Sequence, residues 1–364
     1  MGVVLGWLVG LGRAQRCAGA WTLWSVLCLL ILEGVPAFAS GSVPIGWGID
    51  EDTGILLRIE DYDSSPVVTD YGRLSINDGG VTRPFPDTDL DHDYVFSDLE
   101  SFALDKQGFA YTVGNTSLNF ESGTTFEAPH LYRIRIFDEA GAIIVAQDDA
   151  TGSGGLNVLQ SLGPISGISS GQINGLDIDP LTGDFYAVNE NGGRDDLLLI
   201  DRYTGVSTVI AKSMDGTDDI EDIQFDEYGN LYMIDDDGGP SENDDVLHMA
   251  ILDRSGPLPS LLSISVVNNT GADEDIESLA WDFMNQRLIG FSDATNHFYQ
   301  LNTTGNGYTD LGGIGFNDVE GIGFVPTNTG LPVPEPGTAL LVGMGLFGLV
   351  GIRPSRGLRS HDRV

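Results

Sequence analysis

The chain has 364 residues, with 54 acidic against 17 basic and a formal net charge of -37. A chain this acidic repels nucleic acid and anionic lipid and draws cations, which excludes a nucleic-acid partner. Its 49 glycines, with frequent Asp and Asn, make tight turns, so many short strands are expected rather than long helices.

At the N-terminus, Arg13 and Arg16 precede the apolar run Ala18–Leu32, and Ala37-Phe38-Ala39 offers small residues for cleavage. This pattern predicts a signal peptide over 1–39, cut before Ser40; the alternative is a retained N-terminal anchor. Cys17 and Cys28 both lie inside it, so the processed chain has no cysteine and folds on its core alone.

The body, 40–326, contains a recurring phrase: "DLESFALD" (Asp98–Asp105), "DIEDIQFD" (Asp219–Asp226), "DIESLAWD" (Asp275–Asp282), "DVEGIGFV" (Asp318–Val325) and the weaker "QINGLDID" (Gln172–Asp179). A turn follows each of the first strands within the body ("KQG", "PLTG", "EYG", "MNQ"). Then come a second strand ("FAYTV", "DFYAV", "NLYMI", "RLIGF") and a third ("HLYRIRIFD", "DLLLIDRYTG", "DVLHMAILD", "HFYQLN"). "VSTVIA" and "LLSISVV" read as fourth strands. Four strands per unit, repeated at propeller spacing, predict an all-β fold. The expected form is a β-propeller of five four-stranded blades, or six if the insertion between Glu100 and Asn174 hides one.

The N-terminal "GWGID", "GILLRIED" and "GRLSI" read as later strands of a unit whose first strand is the C-terminal copy. Pairing of the two chain ends would therefore close the ring and bury its edges. Apolar helices are expected at both termini. Along the first strands, large residues (Phe102/Leu104, Ile223/Phe225, Leu279/Trp281) alternate with small ones (Ser101/Ala103, Ser278/Ala280, Gly321/Gly323), so large should meet small between blades. Asp222 and Gln224 fit the small face less well.

The chemistry concentrates in the repeated Asp-x-Glu. If first strands line the channel, Glu100, Asn174, Glu221, Glu277 and Glu320 converge, and like charges at close range need a cation. Hard oxygen donors of this kind suit Ca²⁺. The other open reading is that the Asp shapes the entering loop and the Glu bonds a neighbouring blade's backbone. Asp235-Asp236-Asp237-Gly238 lacks the twelve-position calcium-loop pattern and reads as a solvated turn. "GISSG" (Gly167–Gly171) matches a nucleophile motif without its strand-to-helix elbow. His92, His130, His248 and His297 are scattered singly.

Residues 327–337 form a linker containing Pro334-Glu335-Pro336, where proline keeps the chain extended and unpaired. An apolar segment, 338–352, follows; it is shorter than the roughly 20 residues of a stable span. Residues 353–364 carry Arg353, Arg356, Arg359 and Arg363, which should stay cytoplasmic. The Pro-Glu-Pro motif, apolar span and terminal arginines together resemble a PEP-CTERM sorting signal. The resemblance implies an exosortase-type processing enzyme, a transient inner-membrane intermediate, and delivery to the surface or extracellular matrix of a Gram-negative bacterium. In this chain the arginines are interrupted by Pro354, Ser355 and Gly357.

The phrases "DIE-x-h-x-hD" and "LY-h-h-D" (h, apolar) also resemble esterase-like and lactonase-like propellers. That resemblance implies a channel Ca²⁺ held by Glu100, Asn174, Glu221, Glu277 and Glu320. Few basic residues argue against a phytase. The expected function is a non-enzymatic binding or scaffold module in the exopolysaccharide matrix, with polysaccharide as partner. The alternative is a Ca²⁺-dependent propeller hydrolase.

Overall fold

The computed structural model describes residues 46–324, apart from 51–53, 63–65, 79–80, 85–93, 119–128, 138–141, 146–156, 169–171, 191–193, 215, 218, 237–244, 270–274 and 317–318. The signal peptide, the Pro-Glu-Pro linker, the apolar segment and the basic tail all lie outside these residues, and with them the expected terminal helices. Among the described residues every regular element is a strand, and no helix is long and apolar enough to cross a membrane.

The chain begins with β1 (Gly46–Asp50), β2 (Ile55–Glu60), β3 (Val67–Asp78) and the short β4 (Val81–Pro84). Next come β5 (Tyr94–Leu104), β6 (Phe109–Leu118), β7 (His130–Arg135) and β8 (Asn157–Pro164). β9 (Ile173–Ile178), β10 (Phe185–Glu190), β11 (Asp195–Ile200) and β12 (Ser207–Ala211) form one four-stranded sheet. β13 (Ile220–Phe225), β14 (Leu231–Asp235), β15 (Val246–Asp253) and β16 (Ser260–Asn269) form a second. β17 (Ile276–Asp282), β18 (Arg287–Ser292), β19 (His297–Leu301) and β20 (Tyr308–Gly313) form a third, and β21 (Val319–Phe324) ends the described chain.

β21 pairs antiparallel with β1, so the final copy of the repeat does complete the N-terminal unit. The expectation of separate four-stranded sheets holds for three units only. The other two merge into one nine-stranded sheet, because β3 is long enough for Leu74–Ile76 to pair in parallel with Asn157–Leu159 of β8. β4 folds back on the end of β3.

The first strands touch in a closed circuit: β5 with β9, β9 with β13, β13 with β17, β17 with β21, and β21 with β5. This arrangement is propeller-like. The core follows from it, since each sheet is apolar on both faces and five apolar clusters fill the five gaps between units. Trp47 and Leu56 meet Phe102 and Leu104 in one gap. Tyr232 stacks on Trp281 in another, with centroids 5.8 Å apart.

The large-against-small alternation has a steric cause. A Cβ on Gly321 would lie 2.5 Å from the backbone of Phe102, and one on Gly175 would lie 2.8 Å from Ile223 N. First strands pass that closely. The small positions exist because the next strand's backbone occupies the space.

The Asp that ends each first strand shapes the following turn. Asp105 Oδ1 accepts from the N–H groups of Gln107 and Phe109, Asp179 Oδ1 from Leu181, and Asp226 Oδ1 from Tyr228 and Asn230. Asp282 Oδ1 does the same for Met284 and Asn285. In two of them the other carboxylate oxygen reaches a neighbouring sheet: Arg254 Nε donates to Asp179 Oδ2 at 2.5 Å, and the Tyr62 hydroxyl donates to Asp282 Oδ2.

Candidate cation-binding site

The opposite end of the first strands carries the acids. Here the ladder between first and second strands slips. The shift falls at Glu221 between Ile220 and Asp222, at Glu277 between Ile276 and Ser278, at Asn174, and at Glu320. Each is the extra residue of a β-bulge, a device that re-aims a side chain out of the ladder. In β5 the ladder shifts between Phe96 and Asp98 and again just after Glu100, where Ser101 takes a left-handed φ of 57°.

In three units a residue at the end of the second strand then returns to the residue preceding the first. Asp236 N donates to Asp219 O at 3.1 Å, Asp293 N to Asp275 O at 3.0 Å, and Glu190 N to Gln172 O at 2.9 Å. These links gather three side chains per unit. The carboxylate oxygens of Asp219, Glu221 and Asp236 lie within 4.8 Å of one another, as do those of Asp275, Glu277 and Asp293. In the β9–β10 unit the same places hold Gln172, Asn174 and Glu190. Asp318 lies outside the described residues.

Glu221 shows how closely the units approach. Burial, then Asp219, Glu277, Glu100 and Asp236 in that order, push its pKa up to about 9. Glu277 and Glu100 belong to different units, so three of the five expected positions share one electrostatic environment. The oxygen clusters, however, form within single units: Glu221 and Glu277 each join their own two aspartates rather than one five-fold ring.

Two further acids flank these clusters. Asp195 and Asp245 are buried at the starts of β11 and β15. Asp195 Oδ2 accepts the N–H of Ile220 at 3.0 Å, in the next sheet, and Asp245 accepts that of Ile276. Burial and then Asp235, Asp219 and Glu190 raise Asp195 to about 7, although the Ile220 bond opposes this. Burial and then Asp236, which also bonds to it, raise Asp245 to about 8. Sequence reasoning missed both. The available signal was an acid pair before a third strand, "DD" at Asp195-Asp196 and Asp244-Asp245, which reads equally well as a turn.

Three carboxylates at this spacing form an all-oxygen donor set. Oxygens bound to one calcium at about 2.4 Å lie no more than about 4.8 Å apart, so each cluster fits one ion, with water and backbone oxygens completing its shell. The same acids are held half-buried at close range, where their mutual repulsion is relieved by a divalent cation.

No other constellation gathers here among the described residues. His248 Nε2 lies 3.3 Å from Asp235 Oδ2, buried in the gap between the β9–β12 and β13–β16 sheets. His297 Nδ1 meets Asp310 Oδ1 at 3.0 Å on an outer strand pair. Gly167 and Ile168 follow β8 outside any regular element, and the rest of "GISSG" lies outside the described residues. His92, Ser169 and Asp237 lie outside the described residues.

A protein-family model for the PEP-CTERM protein-sorting motif matches residues 332–356. No curated protein matches the chain. Solved structures similar to it include a nidogen/laminin complex, at 10% identity and TM-score 0.38 over 77% of this chain and 98% of that one. Another is an auxiliary nutrient binding protein from Bacteroides thetaiotaomicron, at 12% identity and TM-score 0.41 over 77% and 64%. A third is TolB from Acinetobacter baumannii, at 14% identity and TM-score 0.36 over 84% and 71%. At these scores they carry no weight for function or site. The matched segment contains Pro334, Glu335 and Pro336, and the chain therefore bears the PEP-CTERM sorting signal of an exported, exosortase-processed protein.

Proposed function

We propose that this is a five-bladed β-propeller acting as a binding or scaffold module at the cell surface or in the exopolysaccharide matrix, with Ca²⁺ held at the acidic end of its first strands. The blade count rests on five first strands in a closed circuit and five apolar gaps, the nine-stranded sheet being two blades joined at their outer strands. Exosortase cleavage at or near Pro334-Glu335-Pro336 would free the body from an inner-membrane intermediate held by 338–352 and the arginines behind it.

The observation that carries the cation reading is the pair of three-carboxylate clusters on successive blades. Calcium there would couple blades, because Asp195 and Asp245 tie each cluster's strand to the preceding blade. A calcium-dressed face is also the part of so acidic a body that would accept an anionic polysaccharide.

The hydrolase reading has one observation in its favour: burial and four neighbouring acids raise Glu221 to about 9 in the metal-free site, the kind of perturbation that clusters at functional carboxylates. A calcium titration followed by a lactone and ester panel separates the two. Calcium-dependent stabilisation without turnover supports the scaffold. Turnover lost on Glu221→Gln supports the hydrolase. The absence of any calcium effect overturns both.

A further inference from the structure

The outer edges of the sheets are unequal. β3 and β8 cover one another by parallel pairing. β12 is five residues long and ends beside Lys212, while β20 is six long, holds Asp310 and bends at Gly312, whose φ is 106°. β16 runs for ten residues, and its outward edge pairs with no described strand. From Ser255 to Ala272 the sequence contains no charged residue, in a chain of net charge -37. Leu262 is 63% exposed and Val266 59%.

Long apolar edges are normally blunted with charge, because their free N–H and C=O groups template pairing with another strand. This one lacks such charge. It is also self-complementary: Leu262-Ser263-Ile264-Ser265-Val266 alternates apolar and serine identically in both directions.

We propose that β16 is a homodimerisation edge. Two copies pair antiparallel across a two-fold axis at Ile264, in the regular stretch between the bulges at Leu262 and Val267, setting Ser263 opposite the partner's Ser265. The occupant is a second copy for two reasons. The register matches itself, as an isologous contact requires, and the closed pair uses up both edges. Two bodies this acidic repel one another everywhere except along a strip without charge. The pairing of β3 with β8 shows that outer strands of this chain join sheet to sheet. This inference is independent of the cation reading.

The test is light scattering on the exported protein across a micromolar dilution series, with and without added salt. The expected result is a twofold mass that persists further into dilution as salt screens the repulsion. Val266→Lys and Leu262→Lys should each return a monomer with the wild-type strand content by circular dichroism. Under oxidation, a mixture of Ser263→Cys and Ser265→Cys proteins should cross-link, whereas neither alone should. Monomeric wild type throughout the series, or a dimer surviving both lysine variants, would overturn the proposal. Cross-linking by either cysteine variant alone would overturn the register.

Discussion

Asp222 Oδ2 accepts a hydrogen bond at 2.7 Å from the backbone N–H of Leu279, on the first strand of the next sheet. Its Oδ1 accepts from Ile223 N, also at 2.7 Å. Asp177 repeats the bridge one unit earlier, taking Phe225 N and Gln224 Nε2 on Oδ2, each at 2.6 Å. Neighbouring first strands are thus stitched by buried carboxylates.

Replacing Asp222 by Ala leaves two buried N–H groups unpaired. The expected loss is about 2–4 kcal/mol, from roughly 1–3 kcal/mol per orphaned donor with partial relaxation. Asp222→Asn keeps one acceptor and should lose less. Urea unfolding of the two variants against wild type checks the order.

Arg254 makes a similar connection at the other end. Its Nε meets the buried Asp179 carboxylate, and its Nη2 donates to Gly229 O at 2.7 Å. Arg254→Met would leave the buried Asp179 carboxylate without its guanidinium partner, at about 3–5 kcal/mol. The double variant Arg254→Met/Asp179→Asn should recover part of that loss in the same unfolding assay.

Burial raises Asp177 to about 8 and Asp195 to about 7, and burial with neighbouring acids raises Glu221 to about 9. An acid whose folded pKa lies above its unfolded value binds more protons when folded, so stability falls as pH rises between the two. With chelator present, the melting temperature should therefore drop from pH 5 toward pH 9. Calcium holds the cluster acids ionised without that penalty, so it should flatten the slope. Parallel slopes with calcium and with chelator would contradict the assignment.

The repeated phrase located every first strand, and the truncated last copy led correctly to the pairing of β21 with β1. Asp222 looked like a misfit on a small face, because sequence cannot show that a neighbouring N–H waits there to be bonded. The bulges at Asn174, Glu221, Glu277 and Glu320 leave no residue-type mark, although they decide where those side chains aim. The β3–β8 pairing depends on how two outer strands lie across a long insertion, which no local pattern encodes. The Asp-x-Glu copies named Asp219, Glu221, Asp275 and Glu277, which lie in the two clusters, but their partners Asp236 and Asp293 arrive from the ends of second strands and belong to no repeated phrase.

Calcium titration of the exported protein, followed by thermal melting, bears on the whole account. With a Kd of about 0.1–1 mM, as in extracellular calcium modules, saturation at 100 times Kd adds about 2.7 kcal/mol per site. For a domain of this size the melting temperature should then rise by about 5 °C or more. The Glu221→Gln/Glu277→Gln double variant should lose that rise while still folding. A wild-type melting temperature indifferent to calcium, or a rise that persists undiminished in the double variant, would contradict it.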